Sequence, residues 1–116
     1  MKDKEKAKQR FLRDPLPRRM GGIAASLARI SSSARRESGQ ARVEEMMQEV
    51  KYYIEWTAAE TDPEVAAELV NIQIALALWQ SGWKETGKLH HPRTILSFQA
   101  KLWSERVLNL SGLLAI

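Results

Sequence analysis

Cysteine is absent from this chain of 116 residues. Its absence excludes disulfides, thiolate metal sites and catalysis by a thiol nucleophile. Long apolar runs are also lacking, since no stretch approaches the ~20 consecutive apolar residues of a membrane-spanning helix. The N-terminal lysines are not followed by the apolar segment of a secretory signal. We therefore expect a cytoplasmic protein without a membrane span.

Signatures of catalysis and of cofactor binding are missing as well. The two histidines, His90 and His91, are adjacent in a predicted loop, where neighbouring side chains diverge and cannot close a metal site alone. No Glu-x-x-His pair suits a di-metal centre in a helical bundle. The serine cluster at residues 31–33 has no nearby base, and no phosphate-binding glycine loop occurs. The sequence predicts a protein that is not an enzyme and binds no cofactor.

The chain does contain four segments in which apolar residues recur every three or four positions, a spacing typical of amphipathic α-helices. The four rows are Met20, Ile23, Leu27, Ile30 and Ala34; Val43, Met46, Met47, Val50, Ile54 and Thr57; Val65, Leu69, Ile72, Leu76, Trp79 and Trp83; and Leu96, Ala100, Trp103, Val107 and Leu110. We predict an all-α fold, an up-and-down antiparallel four-helix bundle over residues 14–116. Residues 1–13 form a basic N-terminal arm, either disordered or helical.

The third segment is the most apolar, so we expect it at the centre of the core. Further apolar residues widen its stripe and that of the last segment: Ala66, Val70, Ile74, Ala77, Ile95, Phe98 and Leu102. The tail from Leu113 to Ile116 is too short to span a membrane and is expected to lie against the core.

Local signals predict where the helices begin. Asp14 is a candidate cap for the first helix. At the third helix, Thr61 and Glu64 fit a capping box, and Asp62 capping a helix that starts at Pro63 fits equally well. Pro92 is expected to open the last helix.

Charge is distributed unevenly, although the whole chain carries only +4. Residues 1–42 hold twelve Lys and Arg against four acids, a net +8, whereas residues 43–68 hold eight acids and one lysine, a net −7. A basic first helix can therefore pair with an acidic second helix, within one bundle or between two subunits.

Two aromatic residues of the second helix, Tyr52 and Trp56, fall away from its apolar row and are four residues apart. We expect them to share an exposed patch beside the acidic residues Glu45 and Glu49. Exposed aromatics of this kind suit a protein partner. The leading hypothesis is a non-catalytic protein–protein interaction module, with self-association as a homodimer included. The tryptophans at apolar-row positions favour core packing, and small-ligand binding in a pocket among them is the last of the alternative functions.

The alternative is nucleic-acid binding through the basic arm and the first helix, because clustered Lys and Arg gain affinity by counterion release. The candidate residues are Lys6, Lys8, Arg10, Arg13, Arg18 and Arg19. Acids interrupt this cluster and no aromatic residue is interleaved among its lysines, which weakens a single-strand interpretation.

Four short stretches carry a family resemblance. They are Arg10-Phe11-Leu12-Arg13-Asp14-Pro15-Leu16-Pro17, Leu27-Ala28-Arg29-Ile30, Ile54-Glu55-Trp56-Thr57-Ala58 and Trp103-Ser104-Glu105-Arg106-Val107-Leu108. Through them the chain, from about Arg10 to Leu114, resembles a set of small helical proteins of cyanobacteria that have no assigned function. The resemblance implies a cytoplasmic setting and transfers no site residue.

Overall fold

A computed structural model of the protein describes residues 3–114, which form six α-helices joined by turns and include no strand. The helices are α1 (Lys4–Leu12), α2 (Leu16–Ala34), α3 (Gln40–Thr57), α4 (Pro63–Ser81), α5 (Trp83–Thr86) and α6 (His90–Leu110), with single 3-10 turns at Glu37–Gly39 and Ala58–Glu60. The all-α prediction is confirmed. None of the helices in this part of the chain has both the length and the apolar character needed to cross a bilayer.

The helix α2 lies at the centre of the molecule, between α6 and α3. It runs antiparallel to α6, since Ser31 contacts Ser97 while Ala24 contacts Ser104. The helix α4 packs along α3 and touches α6 at only a few positions. The prediction that the third long helix occupies the centre of the core is therefore wrong, and α4 lies at an edge.

The core follows the apolar rows of the sequence closely on α2 and α3, where every predicted row residue is buried. On α4 and α6 the buried part is narrower: Leu69, Ile72, Leu76, Leu96, Ala100 and Val107. Each large apolar side chain enclosed in this way contributes roughly 1.5–3 kcal/mol relative to exposure. Trp79 and Trp103 pack against the core from a half-buried position.

Several predicted helix starts shift in the structure. The residue preceding α2 is Pro15 rather than Asp14. The helix α4 starts at Pro63 directly after Asp62, as one of the two alternatives predicted, but the Asp62 side chain makes no capping hydrogen bond. The hydroxyl of Thr61 donates to the carbonyl of Ala58, so the capping box is wrong.

The predicted histidine loop belongs to a helix. The extended backbone of Leu89 (φ −100°, ψ 136°) precedes α6, which places His90 and His91 in its first turn. The preceding connection holds the short helix α5, which the sequence did not predict. At the other end of α6, the side chain of Leu113 lies against Gly21. Leu113 and Leu114 are nevertheless 50% and 58% exposed, so the described part of the predicted tail is not enclosed by the core. Ala115 and Ile116 fall outside the described residues.

Candidate interaction surface

The aromatic side chains of α3 lie under the N-terminal helix. Tyr52 and Trp56 stack on each other with ring centroids 5.6 Å apart, as their spacing predicts. They are half-buried rather than exposed, because α1 covers this side of α3. Phe11 stacks on Tyr53 at 4.4 Å, and the ammonium of Lys4 sits 4.5 Å above the Tyr52 ring, a cation–π contact. The arm thus occupies much of the surface that the sequence assigned to a partner.

The two acidic residues predicted beside this patch differ in their environment. Glu49 accepts a hydrogen bond of 3.1 Å from the hydroxyl of Tyr53, whereas Glu45 is exposed. Burial, reinforced by the charge of Glu49, raises the pKa of Tyr53 to about 12. Glu49 therefore serves the α1–α3 contact, and Glu45 remains accessible.

Arg19 does not belong to the exposed basic surface. Its side chain is 6% exposed, and the guanidinium makes two hydrogen bonds of 2.8 Å to the Glu60 carboxylate, while the Nε donates to the carbonyl of Asp14. This paired geometry raises the pKa of Arg19 and lowers that of Glu60. Arg19 joins α2 to the turn after α3.

The other basic residues of the nucleic-acid hypothesis are distributed over α1 and the start of α2. Lys6, Arg10 and Arg13 recur every three or four positions and line a shallow groove on α1, together with Asp3 and Gln9. Lys8 is half-buried, and Arg18 is exposed.

The tryptophans serve mainly as packing residues. Trp83 is 1% exposed, and its indole N–H donates to the carbonyl of Gln40 at 2.8 Å. Trp79 meets Trp83 edge to face at 6.4 Å. Trp79 also borders a shallow depression with Ala75, Leu78, Gly82 and Thr86, which has few polar groups to orient a ligand.

The outer side of α4 is an uncharged surface with large apolar side chains exposed to solvent. Between Leu69 and Trp83 the chain carries no charged residue. Val70, Ile74 and Leu78 recur every four positions and are 37%, 55% and 72% exposed. Sequence periodicity did not reveal this exposure, because apolar residues surround α4 and their spacing alone does not show which of them face another helix.

A second exposed apolar row lies on α6. Ile95 and Leu102 are each 46% exposed. Their spacing places them on the side of α6 that carries Arg106, whose guanidinium pairs with Glu68 of α4 at 2.7 Å. Val70, Ile74, Leu78, Ile95 and Leu102 together form what we name the α4–α6 apolar face.

Comparisons with protein-family models, curated proteins and solved structures give no match to this chain. The resemblance noted above therefore stays a prediction. Within residues 3–114, no cluster of three or more His, Asp or Glu side chains is close enough to hold a metal ion. The predictions of no cofactor and of no enzymatic activity remain untested.

Proposed function

We propose that the protein is a non-catalytic interaction module that self-associates through the α4–α6 apolar face. The observation that carries this proposal is the uncharged stretch from Leu69 to Trp83 with an exposed row of large side chains. Burying one large apolar side chain fully contributes roughly 1.5–3 kcal/mol relative to leaving it exposed to water. Contiguous apolar patches on a protein surface commonly mark an interaction site.

The charges at the two ends of α4 favour a second copy of the chain as the partner that covers this face. The start of α4 carries Asp62 and Glu64, and the segment after its end carries Lys84 and Lys88 with one acid, Glu85. Two α4 helices related by a two-fold axis at Ile74 run antiparallel, so the acidic start of one lies level with the basic end of the other. In the same arrangement Val70 of one copy lies level with Leu78 of its partner. Two-fold contacts of this self-complementary kind are the most common in homo-oligomers.

The proposed assembly also accounts for the weak packing between α4 and α6. We propose that α2, α3, α4 and α6 form an up-and-down four-helix bundle, and that the second copy covers its loosely packed side. The cytoplasm is the proposed setting, because the chain has no cysteine and needs no oxidising compartment.

Sedimentation equilibrium tests the proposal directly. We expect a concentration-dependent dimer for the wild type and a monomer for Ile74→Glu, because a carboxylate on the axis would face its own copy without a partner. The matched control is Ala28→Glu, which adds the same charge at an exposed position of α2 and should leave the dimer unchanged. A wild-type monomer at about 100 μM, or equal dissociation of both variants, would overturn the proposal.

The basic groove of α1 supports nucleic-acid binding as a second candidate function. Lys6, Arg10 and Arg13 line this groove, and Asp3 is the acidic residue among its lining residues. Binding of this kind weakens steeply with added salt. A Lys6→Gln/Arg10→Gln/Arg13→Gln variant that retards DNA and RNA in gels as strongly as the wild type at low salt would remove this candidate.

A further inference from the structure

An open cleft of about 490 Å³, which we call the α2–α6 cavity, lies between the end of α2 and the first half of α6. Its lining consists of Arg35, His90, Thr94, Ser97, Phe98 and Lys101. Cationic, hydroxyl and aromatic side chains thus converge on one concave site, and none of the lining residues is acidic. The volume lies within the range of small-molecule sites.

The polar floor of this cavity is fixed by a buried pair of serines. Ser97, which is 5% exposed, donates to the carbonyl of Ser31 at 2.7 Å, and the Ser31 hydroxyl donates to the carbonyl of Ser97 at 2.7 Å. The Nε of Arg35 donates to the Ser97 hydroxyl at 3.2 Å. Arg35 is therefore held by its Nε, and its terminal N–H groups are left for a ligand. This arrangement suits an oxyanion, which a guanidinium recognises through two parallel hydrogen bonds.

A buried cation behind the cavity adds to the positive potential. Arg93 is 7% exposed, its Nη1 donates to the carbonyl of Gly87, and its Nε has no hydrogen-bond partner. The ion pairs found within residues 3–114 do not involve Arg93, Arg35 or Lys101. Arg93 lies one helical turn before Ser97, where its charge is only weakly screened by solvent. The first turn of α6, which has no acidic residue, contributes the positive end of its dipole.

We propose that this cavity binds the phosphate group of a small phosphorylated ligand, with a planar part of the ligand resting on Phe98. Arg35 and Lys101 supply the charge. The Thr94 hydroxyl lines the same face of α6, but it donates its hydrogen to the carbonyl of His90 at 3.0 Å and is not counted as a phosphate ligand.

Phe98 is 66% exposed at this cavity and offers a flat apolar surface. Phe98 is three positions after Ile95 and four before Leu102, so it adjoins the α4–α6 apolar face. The charged groups Arg35 and Lys101 are not part of that face, so phosphate binding does not require self-association.

Amide NMR spectra of the full chain titrated with AMP, adenosine and inorganic phosphate test this proposal. We expect AMP to shift the amides around Thr94, Ser97 and Lys101 selectively. Adenosine, which lacks the phosphate, should bind at least tenfold more weakly, and inorganic phosphate should shift the same amides at higher concentration. The Arg35→Gln/Lys101→Gln variant should weaken AMP binding at least tenfold.

The matched control is Arg36→Gln/Arg42→Gln, which removes the same charge from exposed residues outside the lining and should change AMP affinity less than twofold. Spectral dispersion of each free variant shows that it is folded. The proposal is overturned if AMP causes no selective shifts up to about 10 mM. It is also overturned if the control weakens binding as much as the cavity variant, or if adenosine binds as tightly as AMP.

Discussion

At the scale of single residues, the Arg19–Glu60 pair shows how a charge is kept inside the α2–α3 contact. Arg19 is nearly enclosed, whereas the side chain of Glu60 is 52% exposed. Arg19 lowers the pKa of Glu60 below its ordinary value of 4.5. A carboxyl whose pKa is lowered by folding stabilises the folded state above its ordinary pKa, and this contribution is lost as the pH falls through the lowered value.

We therefore predict that Glu60→Gln is less stable than the wild type at pH 7, and that the difference shrinks as the pH falls below 4.5. Urea unfolding at a series of pH values measures this. Glu45→Gln, an exposed acid on α3, is the matched control and should show no such difference. A constant gap between wild type and Glu60→Gln down to pH ~2 would contradict the charge-based explanation.

Two glycines should respond to alanine with opposite signs. A Cβ at Gly22 meets nothing within 4 Å among residues 3–114, so Gly22→Ala should raise the free energy of unfolding by about 0.5–1 kcal/mol, the helix-propensity difference. A Cβ at Gly39 would overlap the carbonyl oxygen of Ser33, and relieving that overlap should cost about 1–3 kcal/mol. Thermal or urea unfolding compares the two variants. Stabilisation by Gly39→Ala would show that the approach to Ser33 is not close.

At the scale of helical elements, α1 depends on its contact with α3. An isolated helix of nine residues is marginal in water, so its packing must hold it in place. Phe11→Ala removes the ring that stacks on Tyr53 and should increase amide hydrogen exchange across Lys4–Leu12 without affecting α2. Leu12→Ala, at a more exposed neighbour, is the control and should leave that exchange nearly unchanged. Equal exchange in both variants would show that the aromatic contact does not order α1.

The two sides of α4 should respond differently to truncation. Leu69 is fully buried, so Leu69→Ala should cost about 2–5 kcal/mol of unfolding free energy. Leu78 is 72% exposed, so Leu78→Ala should change the stability of the monomer by less than about 0.5 kcal/mol. Urea unfolding at low protein concentration, where association is absent, measures both. A large loss from Leu78→Ala in the monomer would mean that this face packs internally.

The sequence predicted the buried rows of α2 and α3 well, because polar residues occupy the solvent-facing sides of these two helices. On α4 this contrast is missing, since apolar residues such as Ile74 and Leu76 occupy opposite sides of the same helix. For that reason the helical spacing of its residues did not predict which side of α4 is exposed. The sequence overestimates the exposure of Tyr52 and Trp56, because nothing in their local spacing shows that Phe11 folds back over α3.

At the scale of the whole molecule, salt distinguishes apolar association from charge-driven binding. We predict that the dimer persists from low salt to about 1 M NaCl, because apolar contacts are not screened. Binding of nucleic acid to the α1 groove should instead fall steeply over the same range. Sedimentation equilibrium at several salt concentrations checks the first outcome. Dissociation of the dimer by salt would indicate that opposite charges, rather than the α4–α6 apolar face, hold the copies together.

The sequence by itself determined the secondary structure class, the four long helices and the buried rows of α2 and α3, because helical periodicity is a local property of the chain. It also determined the charge imbalance between residues 1–42 and 43–68. Only the tertiary structure decided that α2 is central, that α1 covers the aromatic face of α3, and that Arg19 is enclosed beside Glu60. Only packing brings Arg35 to Ser97 across 62 residues, since such contacts depend on how helices distant in sequence meet.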